Sequence, residues 1–579
     1  MQHAFDERVT AGGVEVTVTG DLVRAAAVDD AVATSITDKV PARLAASDPT
    51  LWGPDAESEA AVRLGWVDLP ASSRALLPQL AELREQVRAE GLDHVVLAGM
   101  GGSSLAPEVI AAVHGVHLTV VDTTDADQVR RALRDRTERT VVVVASKSGG
   151  TIETDSHRRA FEKAFRDAGL TPEQIAARIV VVTDPGSPLE KSAREAGYTV
   201  VLADPNVGGR YSALTAFGLV PSALAGADTA RLLDEAAALA PSLGGPTDNP
   251  GLLLGAALGA AAVSGRDKLV LSDGAGLPGF GDWAEQLIAE STGKQGRGIL
   301  PVVVEGPDAP GIVGRGGDAV VAVVGADSGD VAGLTGTAGT PDTSDAPGTP
   351  GTPGIADIAV TGPLGAQFLL WEYATAVAGR LLGIDPFDQP NVQESKDNTA
   401  KLLDALAAEG TLPEGTAAFV DGGTAVYGDA DLLGDAATVQ DALRALLAAV
   451  PEHGYLAVMA YLDRGGDTGA PDLRPLLARV LGGRQATFGW APRFLHSTGQ
   501  FHKGGPQVGA FLQITSEVTA DLPVAGRPYT FAQLQKAQAL GDLGALTARG
   551  RPVLRLHLLD PAEALAGLLS DARALEGAA

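Results

Sequence analysis

The sequence predicts an α/β protein built on doubly wound parallel sheets, and three observations carry that expectation. From Asp93 to Asp204, short apolar runs rich in β-branched residues alternate with windows of helical periodicity, the pattern of strands joined by crossover helices. A second strand–helix series begins at Lys268–Ser272, and a further α/β portion follows from about Gly410. With 579 residues the chain exceeds one hydrophobic core, so several such units are expected.

Taken in order, residues 1–92 read as a mostly helical lead-in with one short strand at Val14–Val18, and no chemistry stands out there. Residues 93–225 form the first α/β unit. Its strands are expected at His94–Ala98, His117–Val121, Val141–Val144, Ile179–Thr183 and Thr199–Leu202. Ligands of such sheets sit at the carboxyl ends of the strands. Two glycine-rich polar loops fall there, Gly99–Ser104 and Ser146–Thr151. Residues 226–410 form a second unit, with strands at Lys268–Ser272, Gly298–Val304, Ala319–Val324 and Ile355–Val360. Its helices are expected at Phe280–Thr292, Leu364–Leu382 and Val392–Ala408. Within it, Asp327–Gly354 is rich in Gly, Thr, Pro and Asp and reads as a disordered surface insert. Residues 411–579 are an additional α/β portion with strands at Tyr455–Tyr461, Ala486–Trp490, Ala510–Thr515 and Val553–Leu558.

Composition narrows the function classes. The net charge of −28, from 44 basic against 72 acidic residues, argues against nucleic acid and anionic membrane surfaces as partners. An anionic substrate then needs a local basic pocket. The absence of cysteine excludes disulfides and thiolate metal sites. The opening MQHAFDERVT has neither a basic nor an apolar signal region, and no apolar run is long enough to span a bilayer. The expectation is a cytoplasmic protein.

The densest chemistry lies at Thr140–Thr154, TVVVVASKSGGTIET. A buried strand feeds a helix over Thr151–Ala168 through hydroxyls and glycines, which leaves free N–H groups converging beside Lys147. That is a site for a phosphate dianion. On the loop alone, an ordinary βα turn explains the same residues. The loop is not a Walker loop, and Gly99-x-Gly101 lacks the third glycine of a dinucleotide fingerprint. Further along, Gln286 and Glu290 share a helix face. Taken in isolation, Glu290 and Lys294 read as a surface i,i+4 ion pair. Asp385–Lys396 is a proline-bounded turn entering a helix, and Leu495–Gly505 is a polar stretch with two histidines.

Together these stretches resemble the phosphoglucose isomerase family. GMGGSSLAPE (Gly99–Glu108), SKSGGTIET (Ser146–Thr154), VGGRYSAL (Val207–Leu214), QLIAESTGK (Gln286–Lys294) and DPFDQPNVQESK (Asp385–Lys396) match its blocks in its order. LHSTGQ (Leu495–Gln500) resembles the block of the family's catalytic histidine. The nearest variety is the long actinobacterial type, also found as half of transaldolase fusions. A barrel of ~250 residues does not fit before Asp93. In ordinary members the histidine block lies between the glutamate and lysine blocks, where this chain has its Thr/Pro/Gly tract. Gln393-Glu394 also replaces a single acid.

The resemblance implies two sugar-isomerase domains and reversible interconversion of glucose 6-phosphate and fructose 6-phosphate, with no cofactor and no metal. It implies Glu290 as the base, His496 and Lys396 as the ring-opening pair, and Arg210 as stabiliser of a cis-enediolate. Ser103, Ser146, Lys147, Ser148, Thr151 and Thr154 would hold the phosphate, and Gln286 and Gln389 the sugar. A homodimer is the candidate assembly, and the C-terminal portion would cap the crevice and bring His496 in from its own or a partner chain. Should His496 lie elsewhere, His502, or Lys396 alone, would open the ring. A dual-specificity phosphoglucose/phosphomannose isomerase and a non-catalytic sugar-phosphate sensor are the alternatives.

Overall fold

A computed structural model describes residues 6–274, 276–331, 334 and 355–577. Most of the expected insert at Asp327–Gly354 lies outside the described residues. The strands are β1 (Glu7–Ala11), β2 (Val14–Val18), β3 (His94–Gly99), β4 (Thr119–Val121), β5 (Thr140–Ala145), β6 (Ile179–Thr183) and β7 (Thr199–Leu202). They continue as β8 (Lys268–Asp273), β9 (Leu300–Val303), β10 (Ala319–Gly325) and β11 (Ile358–Thr361). The last six are β12 (Phe419–Asp421), β13 (Thr424–Tyr427), β14 (Tyr455–Tyr461), β15 (Gln485–Trp490), β16 (Gly509–Ser516) and β17 (Val553–Leu558).

They form three sheets. The first, in order β4-β3-β5-β6-β7, is wholly parallel. Every residue of β3, β5 and β6 is buried, as the continuous valine runs require when helices cover both faces. The second sheet runs β1-β2-β11-β10-β8-β9. Its four later strands are parallel, and the β1–β2 hairpin adds antiparallel strands at the β11 edge. The lead-in segment therefore supplies two of this sheet's six strands, at one edge. Thr19 N donates to the Asp357 carbonyl at 2.9 Å, and Val14, Val16 and Val18 enter the same apolar core as the first sheet. The third sheet, β12-β13-β17-β16-β14-β15, has a parallel centre and an antiparallel hairpin at one edge.

The helices that matter for function are α1 (Leu105–Val113), α2 (Ile152–Asp167), α3 (Pro250–Val263), α4 (Phe280–Thr292), α5 (Leu364–Leu382), α6 (Pro390–Glu409) and α7 (Phe531–Thr547). The third sheet unit docks on both others. Tyr455, Met459 and Phe511 share a core with Val270 and Val321 of the second sheet. Phe531, Leu534 and Ala537 of α7 pack with Phe161 and Phe165 of α2. In each sheet the strand order reverses once: between β3 and β5, between β8 and β10, and between β14 and β16. Crevices for ligands open at such reversals. Among the described residues no helix is long and apolar enough to cross a membrane.

Candidate active site

The loops after β3 and β5 meet at the reversal point of the first sheet and wall a cavity of about 440 Å³. The Gly99–Ser104 turn reaches it by close backbone approach. Gly101 sits at φ +53°, and a Cβ there would lie 2.6 Å from Gln286 Nε2 and 3.0 Å from the His496 carbonyl. A Cβ on Gly102 would lie 2.0 Å from the Gly209 carbonyl oxygen. Only glycine lets three segments converge there.

Ser103, Lys147, Ser148 and Thr151 line this cavity, as does Gln389. Ser146 and Thr154 stand off its wall. The Ser146 hydroxyl is spent inside the loop, donating to Thr151 Oγ1 at 3.1 Å and accepting from Gly149 N at 3.2 Å. Thr154 is buried on α2, with a hydroxyl that has no hydrogen-bond partner among the described residues. Lys147 is not a free cation: its Nζ lies 2.5 Å from Asp184 Oδ2 and donates to the Pro205 carbonyl at 3.3 Å. The lead-in also reaches this cavity. Arg63 and Glu59 line the same cavity, joined by a 2.8 Å hydrogen bond, and Arg63 also reaches the Pro205 carbonyl. In the sequence they carry no signal, because an i,i+4 Glu–Arg pair looks like any solvated helix face.

Glu290 projects from α4 into the cavity and is only 4% exposed. Gln286, one turn earlier, donates to Glu290 Oε2 at 3.1 Å and to the His496 carbonyl at 2.8 Å. Arg210 is clamped on three sides. It donates to Ser291 Oγ at 2.7 Å, to Gln389 Oε1 at 3.0 Å and to the Pro386 carbonyl at 2.6 Å. Its guanidinium Nη1 stands 4.0 Å from Glu290 Oε2. Burial pushes the Glu290 carboxyl above the usual range, and the charges of Arg210 and His496 and the bond from Gln286 counter that rise. Lys294 does not pair with Glu290. It is buried and turned to the Asp385–Asp388 turn, donating to the Asp385 carbonyl at 2.7 Å and to Asp388 Oδ1 at 2.5 Å. Burial lowers its ammonium to about 8. Lys294 thus builds the turn that holds Arg210, and Glu290 faces the cavity instead of the surface.

His496 enters from this same chain. It lines the same cavity as Glu290, and its Nε2 lies 3.1 Å from Glu153 Oε1. Glu153 is buried in the first turn of α2, where Gln538 of α7 donates to the same oxygen at 2.6 Å. Burial alone would raise the Glu153 carboxyl, but the charge and hydrogen bond of His496 hold it below its usual range. Neither Glu153 nor Gln538 stands out in the sequence. An acid in a helix's first turn is ordinary, and only its place in the SKSGGTIET block marked Glu153 out. Lys396 stands on α6 at the mouth, exposed, and lines this cavity and a neighbouring hollow beyond His496. Gln500, from the histidine stretch, pins the start of α6 by accepting from Asn391 N at 3.0 Å and donating to the Gly293 carbonyl at 2.9 Å. His502 is no substitute. Its ring is buried between Tyr455 and Phe511, far from water, and burial holds it well below the usual imidazole range.

Residues 69–294 match the phosphoglucose isomerase family. A glucose-6-phosphate isomerase of Rubrobacter xylanophilus is 32% identical over 385 residues, 57% of this chain and 87% of that protein. The chain belongs to the phosphoglucose isomerase family. A probable glucose-6-phosphate isomerase of Haloarcula marismortui is 36% identical over 219 residues, so the chain spans about half (49%) of that relative's length. It spans 40% of a Cyanothece glucose-6-phosphate isomerase. Among solved structures, a Chlamydia trachomatis glucose-6-phosphate isomerase aligns with a TM-score of 0.52 and 20% identity, over 69% of this chain and 90% of that one. That likeness shows the family's fold.

Proposed function

We propose that the protein interconverts glucose 6-phosphate and fructose 6-phosphate. The observation that carries this reading is the cavity itself. One chain places a buried carboxylate, a clamped guanidinium, a carboxylate-bound imidazole and a lysine around a hydroxyl-rich loop at a strand-order reversal.

The roles follow from what each group can do. The sugar's phosphate is held by the Ser148–Thr151 loop and Ser103, through hydroxyls and backbone N–H groups. Ser146 and Thr154 support that loop from behind. With Nε2 engaged by Glu153, the remaining ring nitrogen of His496 exchanges a proton with the ring oxygen, and Lys396 serves the other oxygen of the hemiacetal. Glu290 removes the proton on carbon 2 and returns it to carbon 1. Arg210, permanently charged and held by fixed hydrogen bonds, offsets the negative charge of the enediolate between the two transfers. Gln286 and Gln389 orient hydroxyls. This reading takes His496 from the same chain as Glu153, and a homodimer belongs to the same proposal. A cytoplasmic location belongs to the same proposal.

A coupled assay with glucose 6-phosphate tests the reading, followed by mannose 6-phosphate. Turnover on the first and not the second is expected. Turnover on both makes the enzyme dual in specificity. Binding without turnover makes it a sensor and removes Glu290's role as base.

A further inference from the structure

The turn that carries His496 is bonded along one helix. Asp282, Gln286 and Glu290 are spaced four apart on α4 and stand above one another. Arg493 Nη1 donates to Asp282 Oδ2 at 3.3 Å, Gln286 donates to the His496 carbonyl at 2.8 Å, and Ser497 Oγ donates to Glu285 Oε1 at 3.0 Å. Glu290 and His496 are therefore set against a common rail.

Arg493 does more than touch α4. It is 7% exposed, its Nε donates to Asp122 Oδ2 at 2.6 Å, and its Nη2 pairs with Glu108. Glu108 lies on α1 and Asp122 just after β4, both in the first sheet unit, whereas Asp282 belongs to the second. One guanidinium from the third unit thus meets carboxylates of both others, three residues before His496. A planar fork with several donors can do this, and an ammonium cannot reproduce the geometry.

We propose that Arg493 is the positioning residue of the His496 turn. It touches no substrate, but its three-way contact sets the distance between the imidazole and Glu290. The proposal rests on His496 opening the sugar ring. A misplacement of ~1 Å at a proton-transfer group costs up to ~10²-fold in rate, so the effect should be large.

The test uses Arg493→Met, Arg493→Lys, Asp282→Asn, His496→Ala and the double variants with His496→Ala. Three readouts are needed: kcat and KM on glucose 6-phosphate, interconversion of its anomers by exchange NMR, and competitive inhibition by inorganic phosphate. Arg493→Met should lower kcat and anomer exchange together by ~10–10²-fold, with phosphate inhibition unchanged and partial rescue in Arg493→Lys. On the His496→Ala background, neither Arg493→Met nor Asp282→Asn should lower kcat further. Asp282→Asn leaves the pairs with Asp122 and Glu108 intact, so it carries the test if Arg493→Met does not fold. Losses that multiply with His496→Ala, or wild-type kcat in folded single variants, overturn the proposal. If His496→Ala itself retains turnover and anomer exchange, it is the ring-opening role that has failed.

Discussion

Two buried carboxylates in neighbouring helices behave as different chemical groups. Glu372 of α5 has no exposed surface, and neither of its oxygens has a hydrogen-bond partner among the described residues. It lies on the helix that packs against α3, and burial alone pushes its carboxyl well above the usual range. Glu290 of α4 is almost as enclosed, and burial raises it too. What differs is the company. Around Glu290 stand Arg210, His496, Gln286 and Lys294, each favouring the charged form. Burial makes a carboxyl a stronger base, and a nearby fixed cation favours its ionised form. Glu372 has the first condition without the second and stays an inert acid in the core.

The sharpest way to break the comparison is Glu290→Gln. It keeps the shape and the contact with Gln286 but removes the proposed base. Isomerisation should fall by at least ~10², with inhibition by inorganic phosphate unchanged. Near-wild-type turnover would remove Glu290 from the mechanism.

Arg210→Met should make Glu290 resemble Glu372. Besides a fall in kcat, the acid side of the pH profile of kcat/KM should move. The base works only when deprotonated, so activity is lost as pH falls through its folded pKa. Without the guanidinium that pKa rises further, and the loss must set in at higher pH. A profile that stays in place would show that Arg210 does not tune the carboxyl. Arg210→Lys, which keeps the charge, should shift it less.

A smaller effect is expected away from the base. Ser148→Asp places a like charge in the proposed phosphate loop, so KM should rise sharply with little change in kcat. An unchanged KM would return Ser146–Thr151 to an ordinary turn.

The smallest effect belongs to Glu372. Its folded pKa lies above its unfolded value, so the stability it contributes is whole below pH ~4.5 and is lost as pH rises towards the folded value. Glu372→Gln has no such loss. Its melting temperature should match wild type near pH 4 and exceed it by a few degrees at pH 8, with turnover unaltered. Equal melting temperatures at both values would mean that Glu372 ionises without cost.

By itself the sequence determined the local elements and the blocks that carry chemistry. The valine runs at β5 and β6 and the helix over Leu364–Leu382 were legible because uninterrupted apolar or helical periodicity has few alternative readings. Val14–Val18 was legible as a strand, but its partner was not. Pairing with Ile358–Thr361 joins segments hundreds of residues apart, and no local signal encodes that choice. Lys294 likewise has the same spacing from Glu290 whether it faces water or the Asp385–Asp388 turn, and only packing sent it to the turn. Lys147 was readable as a cation beside the loop, while its neutralising Asp184 follows a different strand. The histidine shows the limit most clearly. LHSTGQ could be recognised, but on which carboxylate its histidine rests depended on the third sheet unit docking against the other two. Glu153, Gln538 and Arg493 acquire their roles only there, because a side chain's function at a site is set by neighbours that the fold, and not the local sequence, brings within hydrogen-bond reach.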